Sequence, residues 1–231
     1  MKSDEFSQGR PSRLGLFGGT FNPIHRGHLR VAEDVLRHLA LDQIFFIPSA
    51  LPPHKSTGAL AAAQDRLEMV RLALAGHAQM SVSEIEIQRT GPSYTIDTVR
   101  QFKVMSSATT EFFFIVGVDA FLEIHTWYQF KQLFEETAFA VVSRPGSGLW
   151  TGAMRRDMLD YMRRHLSDAY ELTAEGDRLT HPNLPAIHLV PVTPVEIASS
   201  QIRAMVQRGQ PIDPWVVPAV ARHIQQRGLY R

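Results

Sequence analysis

Short, almost continuously apolar runs alternate along this chain with segments that carry an apolar stripe at helical spacing. Leu14–Phe17 reads as a first strand, Gln43–Pro48 as a second, Glu111–Val116 as another and Phe139–Val142 as one more. Between them, 27–39 places Leu29, Ala32, Leu36 and Leu39 on one face of a helix. Residues 63–75 and 95–104 read as further helices. In the first of these, Arg66, Glu68 and Arg71 are assigned to the polar positions among Leu67, Val70, Leu72 and Leu74. Met80–Ile87 reads as a strand whose alternation slips near Glu84, which predicts a bulge or an edge position. Strands apolar on both faces must be covered on both faces. The expected fold is therefore α/β: a doubly wound, Rossmann-like parallel sheet with helices on either side. Such sheets bind ligands beyond the carboxyl ends of their strands, where strand order reverses.

The chain of 231 residues suits one such domain, taken as 12–231, behind a loose polar tail at 1–11. Residues 147–185 are less regular and read as an insertion, although 154–166 fits a helix with Arg155, Arg156, Arg163 and Arg164 on a solvated face. Residues 199–231 read as a small helical C-terminal part. With 24 Lys and Arg against 23 Asp and Glu, no broad basic field exists to argue for nucleic acid or a membrane surface, so any anion site must be local. The absence of cysteine excludes disulfides, thiol nucleophiles and Cys-ligated zinc, and suits the cytoplasm. The tail lacks a signal-peptide core, and the run Phe112–Val116 is too short to span a bilayer. Nothing in the sequence bears on oligomeric state.

Chemistry concentrates after the first strand, in Gly18-Gly19-Thr20-Phe21-Asn22-Pro23-Ile24-His25-Arg26-Gly27-His28. The glycines allow close backbone approach to a ligand. Gly27 and His28 open a helix whose unpaired N–H groups and positive dipole end favour phosphate. His25 and His28, three apart, can face one anion. The Gly-x-x-x-x-Gly-Lys-Ser/Thr loop is absent, and Gly15, Gly18 and Gly19 miss the dinucleotide-fingerprint spacing. Far down the chain, Ser199 and Ser200 can cap a helix that carries Arg203 on its first turn, where a guanidinium can bridge phosphate oxygens.

The first of these motifs resembles the signature of the His-x-Gly-His nucleotidyltransferase superfamily. Ile197-Ala198-Ser199-Ser200-Gln201-Ile202-Arg203 resembles its Ile-Ser-Ser-Thr-x-Ile-Arg element, with Ala198 where serine is usual. Within the superfamily the remaining motifs resemble bacterial nicotinate-nucleotide adenylyltransferases. They are Pro52-Pro53-His54-Lys55, Ser93-Tyr94-Thr95-Ile96-Asp97-Thr98, Gly117-Val118-Asp119 followed by Trp127, Arg144-Pro145-Gly146, and the tail from Val217-Pro218 to Gly228-Leu229-Tyr230, in which His223 stands where tyrosine is common.

The resemblance implies transfer of the adenylyl group of ATP to nicotinate mononucleotide, giving nicotinate adenine dinucleotide and pyrophosphate, in NAD biosynthesis. It implies His25, His28 and Arg203 as catalytic, and Gly18, Gly19, Thr20, Phe21, Gly27, Gly117, Asp119, Ser199, Ser200 and Ile202 around ATP. It places His54, Lys55, Tyr94, Thr95, Trp127 and Arg144 around the nicotinate nucleotide. Asp119 would accept from a ribose, Trp127 would stack on the pyridine ring, and Mg²⁺ would ride on the ATP phosphates rather than on a protein metal site. Two alternatives stay open: a pantetheine-phosphate adenylyltransferase, which shares both end motifs but has Thr for the first histidine, and a nucleotide-sensing protein without catalysis.

Overall fold

A computed structural model describes residues 12–50, 60–143 and 150–231. Its strands are β1 (Arg13–Gly19), β2 (Gln43–Pro48), β3 (Met80–Val82), β4 (Glu111–Gly117), β5 (Ala138–Val142), β6 (Glu171–Leu172), β7 (Arg178–Thr180) and β8 (Ile187–Val190). The helices are α1 (Arg26–His38), α2 (Ala63–Leu74), α3 (Ile85–Gln88), α4 (Thr95–Met105), α5 (Val118–Phe121), α6 (Phe130–Glu136), α7 (Gly152–His165), α8 (Ser199–Gln207) and α9 (Pro218–Gln226).

The strands form one sheet in the order β3-β2-β1-β4-β5-β8-β7-β6. The pairs from β3 through to β8 are parallel, and the hairpin β6–β7 joins β8 antiparallel. From β1 the chain moves outward to β2 and β3, then returns to lay β4 on the other side of β1. The reversal between β1 and β4 opens a crevice at their carboxyl ends.

Strand period decides which side chain goes to which face. In β4, Phe113 and Ile115 join the core beneath α1, α2, α8 and α9, while Phe112, Phe114 and Val116 join the core beneath α4, α5, α6 and α7. Both faces are covered, as near-continuous apolar strands require. Asp34 of α1, 9% exposed, accepts the N–H of Thr193 at 2.7 Å. That bond draws the chain leaving β8 back across α1, toward the place where α8 begins.

The reading of Met80–Ile87 as one strand is corrected. β3 stops at Val82, at the sheet edge, and Ile85 and Glu86 are both buried on one helical turn. A strand would send adjacent side chains to opposite faces; a helical turn buries both together. Arg66 also departs from expectation: at 1% exposed it faces the interior. Residues 147–185 contain α7 and the β6–β7 hairpin, which extend the sheet at the edge opposite β3.

Candidate active site

The loop after β1 lies over the strand-order reversal. Gly18 and Gly19 end β1, and their missing side chains make room for neighbouring rings. A Cβ on Gly19 would lie 2.9 Å from the Phe21 ring, and one on Gly18 would lie 3.3 Å from Phe114. Phe21, at φ 47° and 2% exposed, packs edge-on to His28 with centroids 5.1 Å apart. Its ring therefore supports an imidazole from below. The peptide Asn22–Pro23 is cis.

His25 is the N-cap residue of α1, so the helix begins one residue earlier than its spacing predicts. The N–H of His25 donates to His28 Nδ1 at 3.2 Å. A neutral imidazole that accepts at Nδ1 carries its proton on Nε2. The two rings lie 3.8 Å apart at 33°, so both imidazoles occupy one spot at the helix opening. His25 is 8% exposed, and burial pulls its pKa down to about 4. Among the described residues its Nδ1 finds no hydrogen-bond partner. Gly27 is required by the same ring: a Cβ there would sit 2.9 Å from His25 Nδ1 and 3.0 Å from Cε1. The spacing His-x-Gly-His thus has a steric cause.

α8 docks on this loop. Ser199 Oγ donates to Pro23 O at 2.9 Å, and Arg203 Nη1 donates to Asn22 O at 2.9 Å. The N–H of Arg26 donates to Trp215 O at 2.8 Å. Neither serine caps α8. Its N-cap is Ala198, whose N–H donates to Gln201 Oε1 at 2.7 Å. The serine missing from the usual motif is therefore missing at the capping position itself. Ile202 is fully buried in the core, so its side chain anchors α8. Ser200 is exposed.

Across the crevice, Gly117 is the N-cap of α5 and has open space where a Cβ would be. Asp119 sits in the first turn of α5 and is exposed, and the N-cap position itself belongs to Gly117. Tyr94 is the N-cap of α4 and Thr95 its first residue, leaving the opening N–H groups of α4 without helical carbonyls. Trp127 follows a short 3-10 turn, Ile124–Thr126, and precedes α6; its half-buried ring meets Phe114 edge-on at 6.1 Å. His54, Lys55 and Arg144 lie outside the described residues.

The structure adds residues that sequence patterns left out. Asn22 Oδ1 accepts from Tyr230 Oη at 2.7 Å and from the N–H of Ala61 at 3.1 Å. Arg66 donates to Thr20 O at 2.9 Å. Under the Ser93–Thr95 turn, Thr98 Oγ1 donates to Glu86 at 2.7 Å and accepts from Arg89 at 3.0 Å, while burial pushes the Glu86 carboxyl up. Ser93 Oγ accepts the N–H of Ala50 at 3.2 Å, joining this turn to the end of β2. The sequence signal for Arg66 was its place three before Met69 and seven before Ala73, a buried stripe; Asn22 and Tyr230 lie within motifs, but nothing local showed that they bond to each other. A cavity of about 460 Å³ between α2, α8 and Gly228–Arg231 shares Arg203 with the site.

The fold and this loop define a Rossmann-like nucleotide-binding domain, and comparison with known proteins agrees. A cytidylyltransferase-like family model matches residues 16–205. A relative from Desulfatibacillum aliphaticivorans, bearing the name "Probable nicotinate-nucleotide adenylyltransferase", is 41% identical over 94% of this chain and 99% of its own length. One of the same name from Geobacter metallireducens is 38% identical over 94% and 98%. A solved structure, the Plasmodium falciparum nicotinic acid mononucleotide adenylyltransferase complexed with NaAD, superposes with TM-score 0.70, covering 95% of this chain and 97% of that one; its 17% identity speaks for the fold alone. The chain belongs to the nicotinate-nucleotide adenylyltransferase family, within the cytidylyltransferase-like proteins.

Proposed function

We propose that this protein transfers the adenylyl group of ATP to nicotinate mononucleotide, releasing pyrophosphate and forming nicotinate adenine dinucleotide for NAD biosynthesis. The observation that carries the reading is the docking of Arg203 on the carbonyl of Asn22, in the loop that also holds His25 and His28.

An oxygen of the acceptor phosphate attacks the α-phosphorus, and the bond from that phosphorus to the oxygen bridging to the β-phosphate breaks. The acceptor phosphate is already close to doubly charged at neutral pH and needs no base. The barrier lies in bringing two anions together and in charge growth on the α-phosphate and the leaving group, so positioned donors are the main requirement. In this reading His28 addresses the α-phosphate, His25 the adjacent phosphates and Arg203 the outer ones. Phosphate charge opposes the depression that burial imposes on His25. Mg²⁺ enters as part of the ATP substrate. Gly117 and Asp119 would meet the ATP ribose, the opening N–H groups of α4 the nicotinate carboxylate, and Trp127 the pyridine ring. His54, Lys55 and Arg144 belong to the acceptor side. Among the described residues no helix is long and apolar enough to cross a membrane; the lack of cysteine keeps the cytoplasm as the expected compartment.

The test offers purified protein ATP and Mg²⁺ with nicotinate mononucleotide, nicotinamide mononucleotide or phosphopantetheine, each separately, and measures pyrophosphate release. Fastest turnover with the nicotinate nucleotide is expected. Preference for phosphopantetheine would make the chain a pantetheine-phosphate enzyme, and no release with any acceptor would leave it a nucleotide-binding protein.

A further inference from the structure

Arg66 is 1% exposed, and each of its three guanidinium nitrogens donates to a different main-chain carbonyl. Nη1 reaches Thr20 O at 2.9 Å, Nη2 reaches Ala50 O at 3.1 Å and Nε reaches Ala61 O at 3.1 Å. Among the described residues it makes no ion pair. Burying a guanidinium without a carboxylate is costly, and an apolar side chain of similar volume fills a core as well or better. Only a planar fork, however, can hold three carbonyls in a fixed relation.

Those carbonyls belong to three segments that meet beneath the site. Thr20 lies in the histidine-bearing loop, Ala50 follows β2, and Ala61 leads into α2. Ala61 is the node. Its carbonyl is held by Arg66, while its N–H donates to Asn22 Oδ1 at 3.1 Å. Asn22 Oδ1 also accepts from Tyr230 Oη at 2.7 Å, and the Asn22 carbonyl accepts from Arg203. A continuous run of hydrogen bonds thus leads from Arg66 through Ala61 and Asn22 to Arg203.

We propose that Arg66 is a positioning residue for the triphosphate loop, fixing its carbonyls from below while Tyr230 holds Asn22 from the C-terminal tail. Neither residue is assigned contact with a substrate. The inference rests on the adenylyl-transfer reading and deepens it: the pair sets where Arg203 and the imidazoles stand relative to bound ATP. Removing Tyr230 should therefore affect ATP and turnover while sparing the acceptor, whereas removing Arg66, which also holds Ala50 beside the Ser93 turn, should affect ATP more than the acceptor.

The experiment measures kcat and the separate KM values for ATP and nicotinate mononucleotide in the full chain, in Arg66→Lys, in Tyr230→Phe and in the double variant. Circular dichroism and active-site titration establish the folded fraction. Lysine keeps the charge and loses the fork. Arg66→Lys is expected to lower kcat/KM for ATP roughly 30-fold, on the scale that small misplacements cost, with a clearly smaller change in the acceptor KM transmitted through Ala50 and Ser93. Tyr230→Phe should show a smaller loss of the same kind, and the double variant less than the product of the two, because both act on one loop. An inactive wild-type chain would defeat the adenylyl-transfer reading itself. With an active wild type, a folded Arg66→Lys that matches it, or that loses ATP and acceptor binding equally, overturns the positioning role, as do fully multiplicative effects. Should Arg66→Lys fail to fold, an unchanged ATP KM in Tyr230→Phe overturns it.

Discussion

Arg203 and Asn22, separated by 181 positions in the chain, are joined by a 2.9 Å hydrogen bond from guanidinium to main-chain carbonyl. One end of this bond lies on the first turns of α8 and the other in the loop that opens α1. In the proposed reaction the guanidinium and the two imidazoles act on one triphosphate, so each is an independent source of charge stabilisation. Replacing His28 with Ala, or Arg203 with Ala, is expected to cut turnover by at least ~100-fold, the scale of one such donor. Steady-state pyrophosphate release with a circular-dichroism control checks this. Near-normal turnover in His28→Ala would remove His28 from catalysis.

Gly27 offers a purely steric test. An added methyl would sit 2.9 Å from His25 Nδ1, closer than real Cβ contacts come. The imidazole must then swing off the pair it forms with His28. Gly27→Ala should lower kcat roughly 10- to 100-fold, because small displacements of positioned groups are costly. Its helical location predicts no loss of helix content, and alanine is the better helix former. Turnover equal to wild type would show that the ring's position does not matter.

One buried histidine, His25, and one half-buried, His188, give stability a pH dependence. Burial lowers both His25 and His188 to about 4, with Arg178, Arg13 and His38 adding to the effect at His188 and Asp177 opposing it. In the unfolded chain each titrates near the ordinary value of 6.5. As pH falls from about 6.5 toward 4 the unfolded state takes up protons that the folded state refuses. Stability is therefore full above the unfolded value and declines through that window. Thermal melts at steps from pH 7 to pH 4 should show it, and His188→Asn, remote from the proposed chemistry, should make the decline shallower. Identical pH slopes for the two proteins would contradict a half-buried His188 held neutral.

Ala198 occupies the N-cap of α8 in extended geometry, φ −120° and ψ 151°, without a side-chain acceptor. Serine there would accept from a first-turn N–H. Ala198→Ser should raise stability by about 1 kcal/mol, which for a chain of this size moves the melting temperature by roughly 2–4 °C. A melt that stays put or falls would show that the first-turn N–H groups, of which that of Gln201 already donates to Ala198 O at 3.0 Å, gain nothing from a serine acceptor.

Signals that sit within a few residues were legible without a structure. The apolar runs of β1, β2, β4 and β5 announced a sheet covered on both faces, and Gly27 with two flanking histidines announced a turn into a helix. Met80–Ile87 misled because two adjacent buried residues, Ile85 and Glu86, satisfy neither period over so short a span. The short strands β6, β7 and β8 offer too few residues for any alternation to register.

What the sequence by itself determined, then, is the local grammar: which stretches can be strand or helix, and which loop gathers the glycines and imidazoles. Only the tertiary structure decided that Arg66 is buried under that loop, that Ser199 and Arg203 reach it from 176 and 181 residues away, and that Tyr230 closes on Asn22 from 208. The reason is physical. Periodicity and turn chemistry act over one or two turns of chain, whereas a buried donor takes whichever carbonyl the packed elements bring within 3 Å of it, and packing is a property of the whole fold.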